Sequence, residues 1–188
     1  CGFPVHSIFH VWEKQLKARG LSKSHLFTAE EKQPEQTDYV KDKVFAIDFD
    51  EKAVRVSRTL NLIAGDGQTN VLHLNTLDWE RWDDNYNDNT WSDVYGNGWK
   101  NLRKLLKNPK AEIVTHEEEK NGKIYIKETQ RYNCQDFQFD ILMANPPFAG
   151  DIKETRILSK YELGKKPNGK YQTAVGRDIL FIERNLDF

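Results

Sequence analysis

Residues 139–148 read FDILMANPPF, and this stretch decides the fold that the sequence predicts. Its first six residues are mostly large and apolar, which is typical of a strand buried on both faces of a parallel sheet. The run stops at Asn145, and two prolines follow that have no backbone N–H to donate to a sheet. The sequence therefore predicts a buried strand over residues 139–144 that ends abruptly in a tight turn.

Two other predicted strands also end beside a polar residue. Residues 43–48 (KVFAID) form an apolar run that ends at Asp48, and a short strand over residues 70–74 precedes Asn75. Strands that alternate with helices predict an α/β fold with parallel central strands, and such sheets bind ligands at the carboxyl ends of their strands. We therefore expect Asp48, Asn75 and Asn145 to lie on one rim of the sheet.

The remaining predicted elements are helices, loops and one hairpin. Segments with helical spacing of apolar residues are residues 4–19, 51–64, 99–106, 152–163 and 178–188. Segments predicted to be loops are residues 21–42, 78–97 and 164–169. The pair Asn121-Gly122, between two alternating segments, is a strong hairpin signal within a long insertion over residues 78–138.

Composition limits the class of protein. The chain has 188 residues, 38% hydrophobic and 30% charged, which is typical of one soluble globular domain. We expect no membrane span, because no apolar run approaches about 20 residues, and no signal peptide. Two cysteines without CxxC spacing argue against a disulfide framework or zinc site and favour the cytoplasm. A net charge of −1 argues against a stand-alone nucleic-acid-binding protein.

The residues after the predicted strand have a specific chemical capacity. The side chain of Asn145 and the carbonyl of Pro146 can both accept hydrogen bonds from one planar amino group, which frees the nitrogen lone pair for attack on an electrophile. Pro147 keeps the backbone rigid, and the aromatic ring of Phe148 can stack on a base that carries the amino group. The alternative is a tight turn without any chemical role, since Asn-Pro commonly opens turns.

These motifs resemble those of the M subunit of type I restriction-modification systems, an adenine-specific DNA methyltransferase. Residues 139–148 match the fourth motif of that family. Residues 1–4 (CGFP) resemble the end of its glycine-rich cofactor loop, and residues 46–50 (AIDFD) and 75–77 (NTL) its second and third cofactor motifs. Residues 177–184 (RDILFIER) resemble the helix before its Lys-Pro-Gly-Gly turn. The resemblance implies a Rossmann-like methyltransferase sheet over most of residues 1–188.

The resemblance also implies a site for S-adenosylmethionine. Asp48 would accept hydrogen bonds from both ribose hydroxyls, and Phe49 would lie against the adenine ring. Asn75 stands where the family usually has an Asp that contacts the adenine amino group, and Gly2 would let the backbone approach the cofactor. The implied cofactor-binding residues are Gly2, Phe3, Asp48, Phe49, Asn75, Thr76 and Leu77. Asp48 taken alone equally fits a helix N-cap or the ribose of a nicotinamide cofactor.

The implied reaction is direct methyl transfer to the exocyclic amino group of adenine in DNA. The adenine would leave the stack, and its amino nitrogen would bind Asn145 and Pro146 while Phe148 stacks on the ring. The implied catalytic residues are Asn145, Pro146, Pro147 and Phe148. Orientation would supply most of the rate enhancement, and no metal is needed. The histidines have no metal-ligand spacing except His6 with His10, a pair for which packing or surface roles are expected.

The chain departs from the family at both ends. The strand before the glycine-rich loop and the strands after Phe188 are absent, so we expect an incomplete sheet, weak or no cofactor binding, and no activity of the isolated chain. Family partners are DNA, a specificity subunit that reads the bases and a restriction subunit. Exposed sheet edges and apolar surface make a homodimer of this chain a further expectation.

Other interpretations stay open. Amino methyltransferases that modify guanine in ribosomal RNA or a glutamine side chain share the same four-residue motif. A non-catalytic Rossmann-like interaction module and a nicotinamide dehydrogenase are alternatives of other classes.

Two surface features are also open to two interpretations. The tryptophans of the insertion are expected to pack a small core rather than face a partner, and the cations between Lys153 and Arg177 fit a solvated face or a DNA backbone.

Overall fold

The computed structural model describes residues 2–28, 32–64 and 70–188, and within them the chain is a mixed α/β protein. It divides into two compact units: unit 1 is Cys1–Asn75 with Asp88–Leu102, and unit 2 is Thr76–Asn87 with Arg103–Phe188. The helices are α1 (Gly2–Ala18), α2 (His25–Thr28), α3 (Pro34–Lys43), α4 (Glu51–Ala64), α5 (Trp82–Asn87), α6 (Asn89–Arg103), α7 (Thr155–Leu158) and α8 (Arg177–Leu186). The strands are β1 (Ala46–Asp48), β2 (Val71–His73), β3 (Ala111–Lys120), β4 (Lys123–Tyr132), β5 (Asp151–Ile152) and β6 (Val175–Gly176).

Unit 1 contains a short parallel sheet. Strands β1 and β2 pair in parallel, with Ala46 opposite Val71 and Asp48 opposite His73. Helix α4 connects them, as the strand–helix–strand order requires. The prediction of two parallel strands joined by a helix is therefore confirmed, with strands of three residues each. The glycines at positions 65 and 67 that are predicted to end this helix lie outside the described residues.

One hydrophobic cluster of unit 1 is formed by helices α1, α2 and α3. Ile8, Trp12 and Leu16 recur on one face of α1 and are buried together with Leu26 and Val40. The indole nitrogen of Trp12 donates a hydrogen bond to the carbonyl of Gln36 over 2.9 Å, so its one polar group is satisfied inside the core. This arrangement confirms the helix that was predicted over residues 4–19, although α1 begins at Gly2.

Residues 21–42 were predicted to be mostly loop, and this prediction is wrong. They contain α3, a helix of ten residues that starts with Pro34. Proline suits the first helical position, and the side chain of Gln36 accepts a hydrogen bond from the backbone N–H of Gln33 over 2.9 Å. At the other end, the amide of the buried Asn70 donates to the carbonyls of Lys41 and Val44. These end contacts compensate for the weak apolar periodicity of the segment.

Helix α4 packs with an unexpected face. The sequence predicts an amphipathic helix with one apolar side formed by Ala53, Val54, Val56, Leu60 and Ile63. Of these residues only Val54 is buried, whereas Val56, Leu60 and Ile63 are exposed, with Ile63 at 78%. The buried positions include the polar residues Ser57 and Asn61. Among the described residues, the Ser57 hydroxyl and the Asn61 carbonyl oxygen have no hydrogen-bond partner. The predicted bounds of the helix are thus confirmed, but most of its predicted apolar side is exposed instead of buried.

The hairpin of unit 2 follows the prediction closely. Strands β3 and β4 pair antiparallel from Ala111 opposite Tyr132 to Lys120 opposite Lys123. Asn121 and Gly122 form the turn and have φ values of 56° and 71°. Two successive positive φ values define the turn whose twist matches that of the paired strands, and the Asn-Gly pair adopts them at low cost. The predicted hairpin is confirmed.

The core of unit 2 surrounds a buried arginine. Arg184 on α8 is fully buried, and its guanidinium lies over the rings of Trp79 and Phe188 at 4.6 and 4.3 Å. Trp82 and Phe137 are also fully buried and lie close together. The burial of Trp79, Trp82 and Trp99 confirms that tryptophans of the insertion pack in cores.

The strand predicted over residues 139–144 is absent from the structure. These residues pair with no strand in the described part of the chain, and Ile141, Leu142 and Met143 are exposed, Ile141 at 77%. A strand buried on both faces requires neighbouring strands for its backbone groups, and β1 and β2 belong to the other unit. Short antiparallel pairing begins only afterwards, between β5 and β6.

Two further predictions of local structure are wrong. Residues 78–97 were predicted to be loop but contain α5 and most of α6. The side chain of Asp88 accepts hydrogen bonds from the N–H groups of Thr90 and Trp91, which caps the start of α6. Residues 152–163 were predicted to be one helix, but only α7 is helical before a short 3₁₀ turn. No helix in the described ranges is both long and apolar enough to cross a membrane.

Candidate functional site

Asp48 lies where the sequence places it, at the carboxyl end of β1. Its side chain is exposed, and its Oδ1 accepts a hydrogen bond from the N–H of Asp50 over 2.9 Å. Asp50 in turn caps α4 by accepting from the N–H of Lys52 over 2.9 Å. The capping role that sequence alone left open for Asp48 thus belongs to Asp50. The carboxylate of Asp48 keeps acceptor capacity for two donors from solvent or a ligand.

An aromatic cluster surrounds the end of β2 in the same unit. The ring of Phe49 is exposed and stacks on His73, with centroids 6.1 Å apart and planes at 28°. The ring nitrogen Nε2 of His73 donates to the carbonyl of Phe49 over 2.9 Å. Trp91 donates to the carbonyl of His73, and its ring packs on Tyr95. Asp48 therefore lies beside an aromatic cluster of which the Phe49 ring is exposed, His73 and Trp91 are half-buried and Tyr95 is buried.

His73 is a residue of this cluster that the sequence analysis missed. The sequence predicts no role for its ring, because histidines along the chain show no common spacing. The signal that could identify it is the register, because parallel pairing places His73 directly opposite Asp48. Both residues end their strands, so they lie on the same edge of the sheet.

The triplet Asn75, Thr76 and Leu77 follows β2 across the boundary between the two units. Two backbone carbonyls of the triplet accept hydrogen bonds. The carbonyl of Thr76 accepts one from Arg184, and the carbonyl of Leu77 accepts one from the hydroxyl of Tyr161, each over 3.0 Å. Leu77 is buried in unit 2, whereas Asn75 is half-buried in unit 1. Only Asn75 of this triplet belongs to the unit that contains Asp48.

Gly2 and Phe3 lie in the first turn of α1 instead of a loop. The carbonyl of Phe3 accepts a hydrogen bond from the Ser7 hydroxyl over 2.8 Å, which is a contact within the helix. A side chain at Gly2 would meet the ring of His6 at 3.6 Å, an ordinary contact distance. In this conformation the two residues are part of a helix surface.

The residues Asn145, Pro146, Pro147 and Phe148 form an exposed, irregular segment of unit 2. Phe148 is 92% exposed. The segment leads to Gly150, which has a φ of 99° and lies against the guanidinium of Arg177. The carbonyl of Gly150 accepts a hydrogen bond from the N–H of Arg177 over 3.1 Å, so the base of the segment is fixed where β5 and β6 pair.

The predicted site residues are therefore distributed over the two units. Asp48, Phe49 and Asn75 belong to unit 1, and the four residues 145–148 belong to unit 2. Within unit 1 the structure brings Asp48 and Phe49 together at one strand end. The exposed carboxylate and ring suit an adenosine, because a carboxylate accepts from two hydroxyls and an aromatic ring stacks on a base.

Two clefts lie away from these residues. A cleft of about 290 Å³ in unit 2 is lined by Asp84, Asn87, His116, Lys127, Thr129 and Arg131. A cleft of about 250 Å³ in unit 1 is lined by His6, Phe9, His10, Glu13, Lys23, Leu26 and Phe27. No group of three His, Cys, Asp or Glu side chains in the described residues could hold a metal ion.

Ion pairs involve three of the seven cations between Lys153 and Arg177, and the other four cations are exposed. Arg156 forms two hydrogen bonds of 2.6 Å with the carboxylate of the nearly buried Asp78. Lys160 pairs with Glu80, and Lys165 pairs with Glu162. The hydrogen bonds that Arg156 donates to Asp78 raise the pKa of Arg156, so this cation serves an internal contact.

Comparison with known proteins gives no assignment, because no family model, curated protein or solved structure matches the chain.

Proposed function

We propose that this chain provides the cofactor-binding and amino-group-binding residues of an S-adenosylmethionine-dependent methyltransferase that acts on adenine in DNA. The observation that carries the proposal is the exposed carboxylate of Asp48 beside the exposed ring of Phe49, at the carboxyl end of a parallel strand. In this proposal β1 and β2 are part of a Rossmann-like sheet, and its ligands bind at that edge.

The residues of the proposed cofactor site would act by binding and orientation. Asp48 would accept hydrogen bonds from the two ribose hydroxyls, and Phe49 would stack on the adenine ring with His73 behind it. Asn75, two residues after the end of β2, would accept a hydrogen bond from the cofactor's adenine amino group. The cofactor would supply the electrophilic methyl group.

The proposed substrate site consists of Asn145, Pro146, Pro147 and Phe148. The Asn145 side-chain oxygen and the Pro146 carbonyl would accept both protons of the target amino group, and Phe148 would stack on the base. Full exposure of Phe148 supports this role, because a ring that packs no core is free to contact a flipped base. Specificity and restriction subunits remain the proposed partners.

A nuclear magnetic resonance titration of the chain with S-adenosylmethionine tests the cofactor site. We expect shift changes at Asp48, Phe49 and His73, lost in Asp48→Ala and retained in Asp93→Ala. Asp93 is an exposed carboxylate on α6 of the same unit and serves as the matched control. The proposal fails if millimolar cofactor shifts none of these three residues, or if both variants respond alike.

A second titration, with the four deoxynucleoside monophosphates, tests the substrate site. Deoxyadenosine monophosphate should shift Asn145 and Phe148 more than the other three do, and Asn145→Ala should remove that preference. A preference for the guanine nucleotide would instead favour the alternative of a guanine amino methyltransferase.

A non-catalytic interaction module is the second candidate. The exposure of Ile141, Leu142 and Met143 favours it, because contiguous apolar side chains in water mark sites for partners. Binding of S-adenosylmethionine at Asp48 would exclude this candidate, so the first titration also discriminates between the two functions.

A further inference from the structure

The β3–β4 hairpin presents two chemically different faces. Side chains alternate along a strand, so Lys123, Tyr125, Lys127, Thr129 and Arg131 of β4 share one face, which we call the cationic face. The opposite face carries Ile113, Ile124, Ile126 and the acids Glu117, Glu119 and Glu128, with no cation among the described residues of that face. The cations of β4 are therefore confined to one side of the hairpin. On the cationic face, the register pairs Glu112 with Arg131 and Glu118 with Tyr125, so this face contains acids as well as cations.

The cations of this face are regularly spaced. Lys123, Lys127 and Arg131 are each four residues apart, which corresponds to about 13 Å along a strand. Register places His116 of β3 directly opposite Lys127 on the same face. The lysines are exposed, in contrast to the paired cations near Lys160. The two lysines are therefore accessible to a linear polyanion, whereas Arg131 is paired with Asp84.

Aromatic and hydroxyl side chains stand between the cations. Tyr125 lies between Lys123 and Lys127, and its side chain is 51% exposed. An exposed ring beside a phosphate-binding cation can stack on an unpaired base, as in proteins that bind single strands without reading sequence. A duplex offers no free base face to such a ring, so the arrangement favours a single strand.

The cationic face also contains a cleft at its base. His116, Lys127, Thr129 and Arg131 line a cavity of about 290 Å³ together with α5 residues. Arg131 pairs with Asp84 over 2.9 Å, and Asp83 accepts a hydrogen bond from the N–H of Tyr132 over 2.6 Å. These contacts fix the base of the hairpin against α5, so the donors of the cleft are held in place before a ligand arrives.

We propose that the cationic face of the β3–β4 hairpin binds a single strand of DNA, with Lys123 and Lys127 on its phosphates and Tyr125 stacked on a base. The choice of DNA rests on the proposed function, in which a base must leave the duplex. The acids on the opposite face orient the hairpin, because they repel a polyanion from that side.

Fluorescence anisotropy with a labelled oligothymidylate of about 12 nucleotides tests the proposal. The double variant Lys123→Gln/Lys127→Gln should weaken binding about tenfold and reduce the salt dependence, the slope of log K against log salt, by about 1.4. Tyr125→Ala should weaken binding by a similar factor without changing that slope. The matched control is Thr115→Glu/Gln130→Glu, which lowers the net charge equally on the opposite face.

Three results would overturn the proposal. The first is an equal loss in both double variants, which would indicate a general charge effect. The second is tighter binding of the duplex form with no effect of Tyr125→Ala, and the third is tighter binding of an oligouridylate of equal length. The assay contains no S-adenosylmethionine, so failure of the cofactor site would leave this result unchanged, and the reverse also holds.

Discussion

The guanidinium of Arg184 donates a hydrogen bond from Nε to the carbonyl of Thr76 over 3.0 Å, which joins α8 to the segment that follows β2. The same side chain donates to the carbonyls of Cys134 and Gln135, and it lies 3.4 Å from the carboxylate of Asp187. Burial lowers the pKa of Arg184, and the nearby Tyr161 and Asp187 oppose that shift. Arg184 thus donates hydrogen bonds to backbone carbonyls of two separate segments of unit 2 and also lies near an acid at the end of its own helix.

Arg184→Met should destabilise unit 2 strongly. The variant keeps most of the volume but leaves buried carbonyls without a donor, so we expect a loss of about 3–5 kcal/mol in the free energy of unfolding. Urea unfolding followed by circular dichroism measures it. Arg55→Met, which removes an exposed pair with Glu51, is the control and should cost less than about 0.5 kcal/mol. Equal losses in the two variants would contradict the central role of Arg184.

Gly122→Ala should weaken the hairpin. Position 122 has a φ of 71° and no atom within 4 Å of an added side chain, so the cost is one of backbone conformation alone. We expect about 1 kcal/mol, seen as faster hydrogen exchange of the β3 and β4 amides. Asn121→Gly relaxes the neighbouring turn position and should leave exchange nearly unchanged. Unaltered protection in Gly122→Ala would show that the turn does not determine the stability of the hairpin.

Asp83→Asn should stabilise the chain at neutral pH. Burial raises the pKa of the Asp83 carboxyl, and the hydrogen bond from the N–H of Tyr132 only partly opposes this shift. The folded chain therefore favours the protonated form, and the stability that Asp83 contributes is lost as pH rises from about 4 through the raised pKa. Asparagine mimics the protonated acid and can still accept from Tyr132.

Urea unfolding of both proteins over a pH series measures this effect. The gain from Asp83→Asn should be largest near pH 7 and should disappear below about pH 4. A constant difference between the two proteins across the series would show that Asp83 does not titrate with a raised pKa.

Ile63→Lys should reduce self-association of the chain. Val56, Leu60 and Ile63 form an exposed apolar row on α4, and a second copy can bury it by antiparallel helix packing. Sedimentation equilibrium should show a dimer whose dissociation constant rises about tenfold or more in the variant. Thr90→Lys adds the same charge at an exposed position on α6 of the same unit, outside this row, and should have a smaller effect. A monomer at all concentrations would contradict this prediction.

Elements with local signals were predictable from the sequence. Apolar spacing identified α1, α4 and α8, and Asn121-Gly122 identified the hairpin. Helix α6 was predicted only in its last third, because the role of Asp88 as a cap depends on the chain turning there. Helix α3 was missed because its stability comes from Pro34 and from the contacts of Asn70, which is distant in sequence.

The strand over residues 139–144 shows the limit of pattern-based prediction. Its apolar run is real, but a strand forms only where other strands supply hydrogen bonds, and sequence cannot show which neighbours are present. The position of Asp48 at a strand end was predictable from a local pattern. The place of His73 beside it was not, because that follows from the register between two strands.

Each unit contains its own fully or nearly buried indoles: Trp12 and Trp99 in unit 1, and Trp79 and Trp82 in unit 2. Intrinsic fluorescence can therefore report on the units separately, if the tryptophans of one unit are replaced by phenylalanine. In unit 2 the emission would be especially sensitive, because the cation of Arg184 lies 4.6 Å from the Trp79 ring. The packing of the chain thus provides an optical means of following whether its two parts unfold together or in sequence.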